Sequence, residues 1–206
     1  MNIIKNMNLK NKILKNLELN EKNFSHNEFI DQDFNDCILK WTNFEYSTFK
    51  NVNFISCDIG ESNFSNSHFE NCNFNEIKAF NMNFSNTIFK NCKFNKFDMR
   101  DSDLKKTNIE LTSFNQSVLR GSNFIKALLK DSKFFNCDMK KCIFEETDFN
   151  SIIFLESDLF MSKFKDNNYI SSEVDTCNII FTRFIGKNFD KIKIKNSKIN
   201  RTIFIN

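Results

Sequence analysis

Residues 51–74 read NVNFISCDIGESNFSNSHFENCNF, with Phe at 54, 64, 69 and 74 and Ile59 where a fifth Phe is due. A half-buried strand repeats its apolar residues every second position and an amphipathic helix every 3.6, so a spacing of five belongs to neither. It marks a repeat architecture. Extending the register in both directions, every position ending in 4 or 9 from Ile4 to Phe204 is large and apolar except Ala79, and these 41 positions hold 22 of the 27 Phe. No insertion interrupts them.

Taking every fourth member answers why Ile59 is not Phe. The set Leu19, Leu39, Ile59, Ala79, Met99, Leu119, Met139, Leu159, Ile179 and Ile199 contains no Phe, whereas the other three sets hold nine of 11, six of ten and seven of ten. Four pentapeptides therefore make one turn of a square solenoid, and the fourth side requires aliphatic central residues because three aromatic columns already fill the axis. Ten coils at the roughly 4.8 Å spacing of neighbouring strands give a rod about 48 Å long.

The position two before each central residue is nearly always small from 37 to 182, chiefly Ser, Thr or Cys. A small group beside a large one permits close packing, and hydroxyls can bond to corner backbone in a chain with no Pro and three Gly. Where Ala79 leaves volume unfilled, Ile77 and Phe97 lie close enough to restore it. Residues 1–22 fit least well: Lys12 and Lys22 occupy the small slot and no central residue there is Phe. They form a degenerate first coil or an N-terminal cap, followed by an uninterrupted β-helix over 23–206.

Units such as SNFSN (62–66), CNFNE (72–76), SDLKK (102–106), TDFNS (147–151) and SDLFM (157–161) resemble the pentapeptide repeat family, with its small residue, Asn or Asp, then central Leu or Phe. The resemblance covers essentially the whole chain. It implies an all-β fold, a right-handed quadrilateral β-helix of about ten coils. Relatives in that family protect type II topoisomerases, DNA gyrase and topoisomerase IV, from quinolones and resemble a rod of duplex DNA, a role that wants a dominant negative surface. Here the net charge is +3, from 29 Lys and Arg against 26 Asp and Glu, and no side carries a strong excess of either sign. The unbroken register also leaves no room for the projecting loops of several resistance proteins.

Chemistry-bearing residues are sparse. All seven Cys, at 37, 57, 72, 92, 137, 142 and 177, occupy the small inward slot, where a free thiol behaves as a small hydrophobe. Cys37 with Cys57, and Cys72 with Cys92, should stack in adjacent coils. His26 and His68 point outward on different sides, and Gly60, Gly121 and Gly186 are isolated turn positions rather than a phosphate loop. No catalytic set, metal site or cofactor site follows. No run of 18 apolar residues could span a membrane and no signal peptide is recognisable, so the expected compartment is the cytoplasm.

Function must then lie on the outer surface of a non-enzymatic binding or scaffold protein presenting flat faces to a macromolecule, the alternative being a quinolone-resistance-like protein acting on a type II topoisomerase. Direct nucleic-acid binding is not expected. Two surfaces stand out. Trp41 and Tyr46 are outward neighbours across a corner, and Lys40, Arg100, Arg120 and Lys140 share an outward column of the fourth side beside Asp58, Asp98, Asp138 and Asp158, either as a contact surface or as a solvated salt-bridge ladder. Towards the C-terminus, Phe160, Met161, Ile180, Phe181, Ile185, Phe204 and Ile205 form a candidate patch for an end-to-end homodimer.

Overall fold

The computed structural model describes residues 13–206. Its three-residue strands stack in parallel with a register of twenty: Phe34 pairs with Phe54, and Phe54 with Phe74. The coil period read from the Phe-free set is thus the period of the backbone. The third side is a ten-stranded sheet running from Ile13–Lys15 to Lys193–Lys195, and the second an eight-stranded sheet from Glu28–Ile30 to Asn168–Ile170. Residues 13–22 follow the same course, with Leu14 buried; the remainder of the expected first coil or cap lies outside the described residues.

Alternation of the slots produces the core. Central residues from Phe34 to Phe184 are buried, and so are the small residues two before them. The Phe of each aromatic side stack face to face along the rod, with centroids 4.5 Å apart for Phe49 and Phe69 and 4.6 Å for Phe74 and Phe94. Between sides the rings meet edge-on, as Phe89 does with Phe94 at 5.3 Å and 78°. Each such pair contributes about 0.5–1.5 kcal/mol beyond the area it buries. Leu39, Ile59, Met99 and Leu119 complete the square as a fully buried aliphatic column. The gap at Ala79 is filled as expected: Phe97, in the usually small slot one coil on, is buried edge-on against Phe74 and Phe94.

The small slot also holds the corners together. Ser67 Oγ donates to the Phe44 carbonyl (2.8 Å) and accepts the Ser47 N–H (3.2 Å), so one hydroxyl satisfies a donor and an acceptor of the preceding coil. Ser162 does the same for Met139 and Cys142. Cysteines substitute for serine as donors, Cys142 Sγ reaching the Leu119 carbonyl at 3.1 Å. All seven are buried free thiols, and burial pushes Cys137 up to about 12 and Cys177 up to about 11.

At nearly every fifth residue from Asn16 to Arg201 the backbone enters the left-handed region, with φ between 45° and 60° at the non-glycine residues that make up nearly all of these corners. Gly121 and Gly186 occupy this corner slot; Gly60 instead sits one residue before it, with the Phe80 ring 3.3 Å from where a Cβ would be.

Two local departures were not visible in the central positions. On the first side Asn43, Asn63, Asn83, Asp103 and Asn123 each accept the N–H two residues on, for example Asn63 Oδ1 from Ser65 at 3.0 Å, and the corner closes tightly. Ile143, Lys163, Arg183 and Ile203 take over that column and offer no acceptor there. The side becomes a four-stranded sheet, Ile143–Glu145, Lys163–Lys165, Arg183–Ile185 and Ile203–Ile205. On the fourth side the tight corner persists even after Ile38 and Val118. The second departure corrects the expectation of an unbroken coil: at Phe189–Lys191 the second side is a single 3-10 turn instead of a strand. Lys187 holds the small slot there, and an ammonium has no partner in that interior, so it faces solvent and the coil opens locally.

Two outcomes follow. Leu119→Phe should overpack the aliphatic column, destabilising by about 1–3 kcal/mol and lowering Tm by several degrees, although Phe is the commonest central residue elsewhere; a neutral result would remove the steric cause of the twenty-residue period. Thiol labelling at pH 7.5 should be negligible at Cys137, Cys142 and Cys177 in the folded protein and complete in denaturant, because the thiolate is the reactive form and burial raises these three thiols; rapid labelling of Cys137 or Cys177 without denaturant would contradict the packing described.

Candidate binding surfaces

The basic column of the fourth side is paired throughout. Lys40 meets Asp58 at 3.1 Å, Arg100 grips Asp98 through Nε and a terminal nitrogen at 2.8 and 2.7 Å, Arg120 reaches Asp138 at 2.6 Å, and Lys140 lies 3.2 Å from Asp158. The carboxylates do double duty: Asp158 Oδ1 also accepts the Phe160 N–H at 3.0 Å. Hydrogen bonding by Asp98 and by Asp138 raises the Arg100 and Arg120 guanidiniums further above their ordinary range. This is the salt-bridge ladder of the two arrangements open at the sequence level, and exposed pairs of this kind contribute at most about 1 kcal/mol each.

Trp41 and Tyr46 are both half exposed, at 52% and 53%, and both occupy left-handed corner slots. Their rings do not pack on one another. Tyr46 instead stacks on His26, one coil away, with centroids 5.0 Å apart and 10° between planes. A twenty-residue separation puts side chains in one outward column, whereas Trp41 and Tyr46 sit on corners at opposite ends of the first side.

The C-terminal candidates divide into three groups. Phe160 and Phe181 make an edge-on pair at 5.7 Å, and Phe181 lines a groove with Met161, which is 47% exposed. Ile185 pairs in register with Ile205 on the first side, and Ile180 is half buried at its corner. Phe204 belongs to neither outward group. It lies on the core column, stacked on Phe184 at 5.2 Å and tilted against Phe189 at 5.5 Å, and is 43% exposed.

Charge summed side by side hides a lengthwise asymmetry. Residues 187–206 carry Lys187, Lys191, Lys193, Lys195, Lys198 and Arg201 against Asp190 alone, a net +5, whereas residues 23–186 sum to −5. Only Lys195 among these cations forms an ion pair with a described residue, Glu173 at 2.9 Å. Three further cations, Lys141, Lys163 and Arg183, stand around the Met161–Phe181 groove. Neither group was singled out from the sequence; the signals were the change from Asn to Ile143, Lys163 and Arg183 in one column, and the run of Lys after 187.

Among the described residues no group of three or more Cys, His, Asp or Glu is placed to hold a metal ion, and no helix is long and apolar enough to cross a membrane. The family model described as "Pentapeptide repeat region" matches residues 7–84, and "Pentapeptide repeats (8 copies)" matches 83–121 and 112–150. No curated protein is matched by the sequence. Among solved structures the chain is similar to HetL, a pentapeptide repeat protein involved in heterocyst differentiation regulation from the cyanobacterium Nostoc sp. Strain PCC 7120, at 10% identity and a TM-score of 0.50, covering 97% of this chain and 87% of that one. Full-length QnrB1, a plasmid-mediated fluoroquinolone resistance protein, is 14% identical with a TM-score of 0.32, covering 90% and 92%. A pentapeptide repeat protein of the Arabidopsis thaliana thylakoid lumen is 18% identical with a TM-score of 0.24, covering 64% and 67%. The five-residue register, the four-sided parallel coil and the matched repeats agree: the chain belongs to the pentapeptide repeat family.

Proposed function

We propose that this protein is a non-enzymatic binding scaffold whose C-terminal coils are its contact surface. One observation carries the proposal: outward apolar side chains and unpaired charge coincide on residues 187–206, where Ile203 and Ile205 are 40% and 47% exposed and the net charge is +5 with Lys195 alone in an ion pair with a described residue. An apolar centre with a charged rim is the anatomy of a protein–protein contact. The paired ladder of the fourth side and the stacked His26–Tyr46 corner are satisfied internally and offer less to a partner.

A second copy of the chain is the alternative occupant, as an end-to-end homodimer burying Phe204, Ile205 and Ile185 twice, with Phe160, Met161, Ile180 and Phe181 at its rim. The exposed Ile203 and Ile205 favour it; two +5 coils brought face to face oppose it. Salt separates the two. Self-association against like charge strengthens as salt screens the repulsion, while binding to an acidic partner weakens. The topoisomerase-protecting alternative wants a dominant negative surface, and the acidic excess of residues 23–186 is interleaved with Lys and Arg, which weighs against it.

The scaffold is tested by affinity capture from the native host with wild type, Phe204→Asp and Lys96→Glu: a protein retained by wild type and Lys96→Glu but lost with Phe204→Asp supports it, and equal retention by all three places the contact elsewhere. Sedimentation equilibrium at micromolar protein in 50 and 500 mM salt should show a monomer at low salt; a dimer that persists there makes the second copy the occupant.

A further inference from the structure

The change of the first side from tight corners to a flat four-stranded sheet has a geometric result. From Ile143 onward the sheet and the neighbouring corner enclose a groove of about 400 Å³ lined by Lys141, Met161, Lys163, Phe181, Arg183 and Ile203. It spans three coils, roughly 14 Å at strand spacing. Its floor is apolar and open to solvent, with Met161 and Ile203 exposed at 47% and 40%. Its walls are cationic.

These cations differ from those of the ladder. Lys163 is bound to Glu145 at 3.1 Å, and Lys165, then Lys163, holds the Glu145 carboxyl below the usual carboxylate range. Lys141 and Arg183 have no carboxylate within ion-pair distance among the described residues, and Arg201 lies over the Phe181 ring at 5.3 Å. Elsewhere on the rod many basic side chains meet acids one coil away, as Lys130 meets Glu110 at 2.7 Å and Lys96 meets Glu76 at 3.2 Å, while Lys78, Lys90, Lys93, Lys106 and Lys133 form no ion pair with a described residue. At the groove the positions that would hold those acids are Met161, Phe181 and Ile203. At the groove two unpaired cations flank an apolar floor, and the carboxylates of a partner can supply their counter-charge.

We propose that the groove takes an extended acidic peptide segment of a partner protein, with one aromatic or branched aliphatic side chain seated between Met161 and Phe181 and flanking carboxylates on Lys141 and Arg183. This rests on the scaffold proposed above and names the chemistry of its partner. Charge complementarity selects an anion, and the apolar floor requires an apolar group between the anionic ones. A nucleic-acid backbone supplies the charge without the anchor, and a longer polyanion would run onto residues 23–186, whose net charge is −5. A small ligand needs an enclosed pocket with convergent buried polar groups; this groove is open along its length and its cations are on exposed side chains.

Fluorescence anisotropy with the labelled peptide Asp-Asp-Trp-Glu-Glu tests the proposal on the full chain. Wild type should bind it saturably and more weakly as salt rises. The double variant Lys141→Glu with Arg183→Glu, and separately Met161→Asp, should weaken binding at least tenfold, while Lys96→Glu leaves it unchanged; unaltered circular dichroism shows that the coil is intact. Equal binding by the double variant overturns the site. So does equal affinity for Asp-Asp-Ala-Glu-Glu, which lacks the anchor, or a 20-base-pair DNA bound more tightly than the peptide. If these assays fail while Phe204→Asp still abolishes capture, the scaffold stands and its partner uses the coil 187–206; if capture fails as well, both are wrong.

Discussion

Each coil must turn four corners within twenty residues, and at each corner one residue is driven into the left-handed region of the backbone map. The rest of the structure depends on meeting that demand with almost no glycine. A non-glycine residue in this region costs on the order of 1 kcal/mol, less for Asn and Asp, whose short polar side chains tolerate it. Burial of a large apolar side chain contributes about 1.5–3 kcal/mol, and ring stacking adds to it. Each corner is therefore outweighed by the central residue that it positions, provided the next coil stacks in register. Hydroxyls and thiols of the small slot bind carbonyls and N–H groups at the same corners, so they enforce that register directly.

This arrangement uses up the interior. Thiols and hydroxyls that might do chemistry are committed to holding corners, and the faces are mostly neutralised between adjacent coils by pairs such as Lys40 with Asp58 and Lys130 with Glu110. Binding capacity is left where unpaired cations and exposed apolar side chains come together. That happens in the last four coils, where the Asn column of the first side gives way to Ile143, Lys163 and Arg183, and where Lys accumulates after residue 187. The two proposals concern neighbouring parts of this one region: the cationic coil 187–206 and the groove beside it.

Much of the fold was legible because central positions report packing directly. Only a fourth side lacking Phe makes sense of Ile59, and the structure places Ile59 in a buried aliphatic column. Ala79, Ile77 and Phe97 were likewise readable as one exchange of volume. The stacking of His26 on Tyr46 was within reach of the same period, since the two are twenty residues apart, but adjacency along the chain drew attention to Trp41 instead. What escaped lies outside the central positions. Lys187 in a slot meant for a small residue foretells the 3-10 turn at Phe189–Lys191, whereas loss of an acceptor at residue 143 accompanies the flat sheet of the first side but leaves the corner intact at Ile38 and Val118 of the fourth. The groove could not be read from any single column, because its apolar floor and cationic walls come from two columns that meet only in three dimensions.

The demand for left-handed corners is tested most directly at Thr176, a β-branched residue held at φ 53°. Glycine there removes backbone strain on the order of 1 kcal/mol that a β-branched residue suffers in this region. Thr48, in the strand Thr48–Lys50, is the control, since glycine in a strand interior is destabilising. Melting temperatures of the two variants should move in opposite directions, Thr176→Gly upward by a few degrees and Thr48→Gly downward. A fall for Thr176→Gly equal to that for Thr48→Gly would show that the corners carry no left-handed strain, and the balance between corners and core proposed for this solenoid would be wrong.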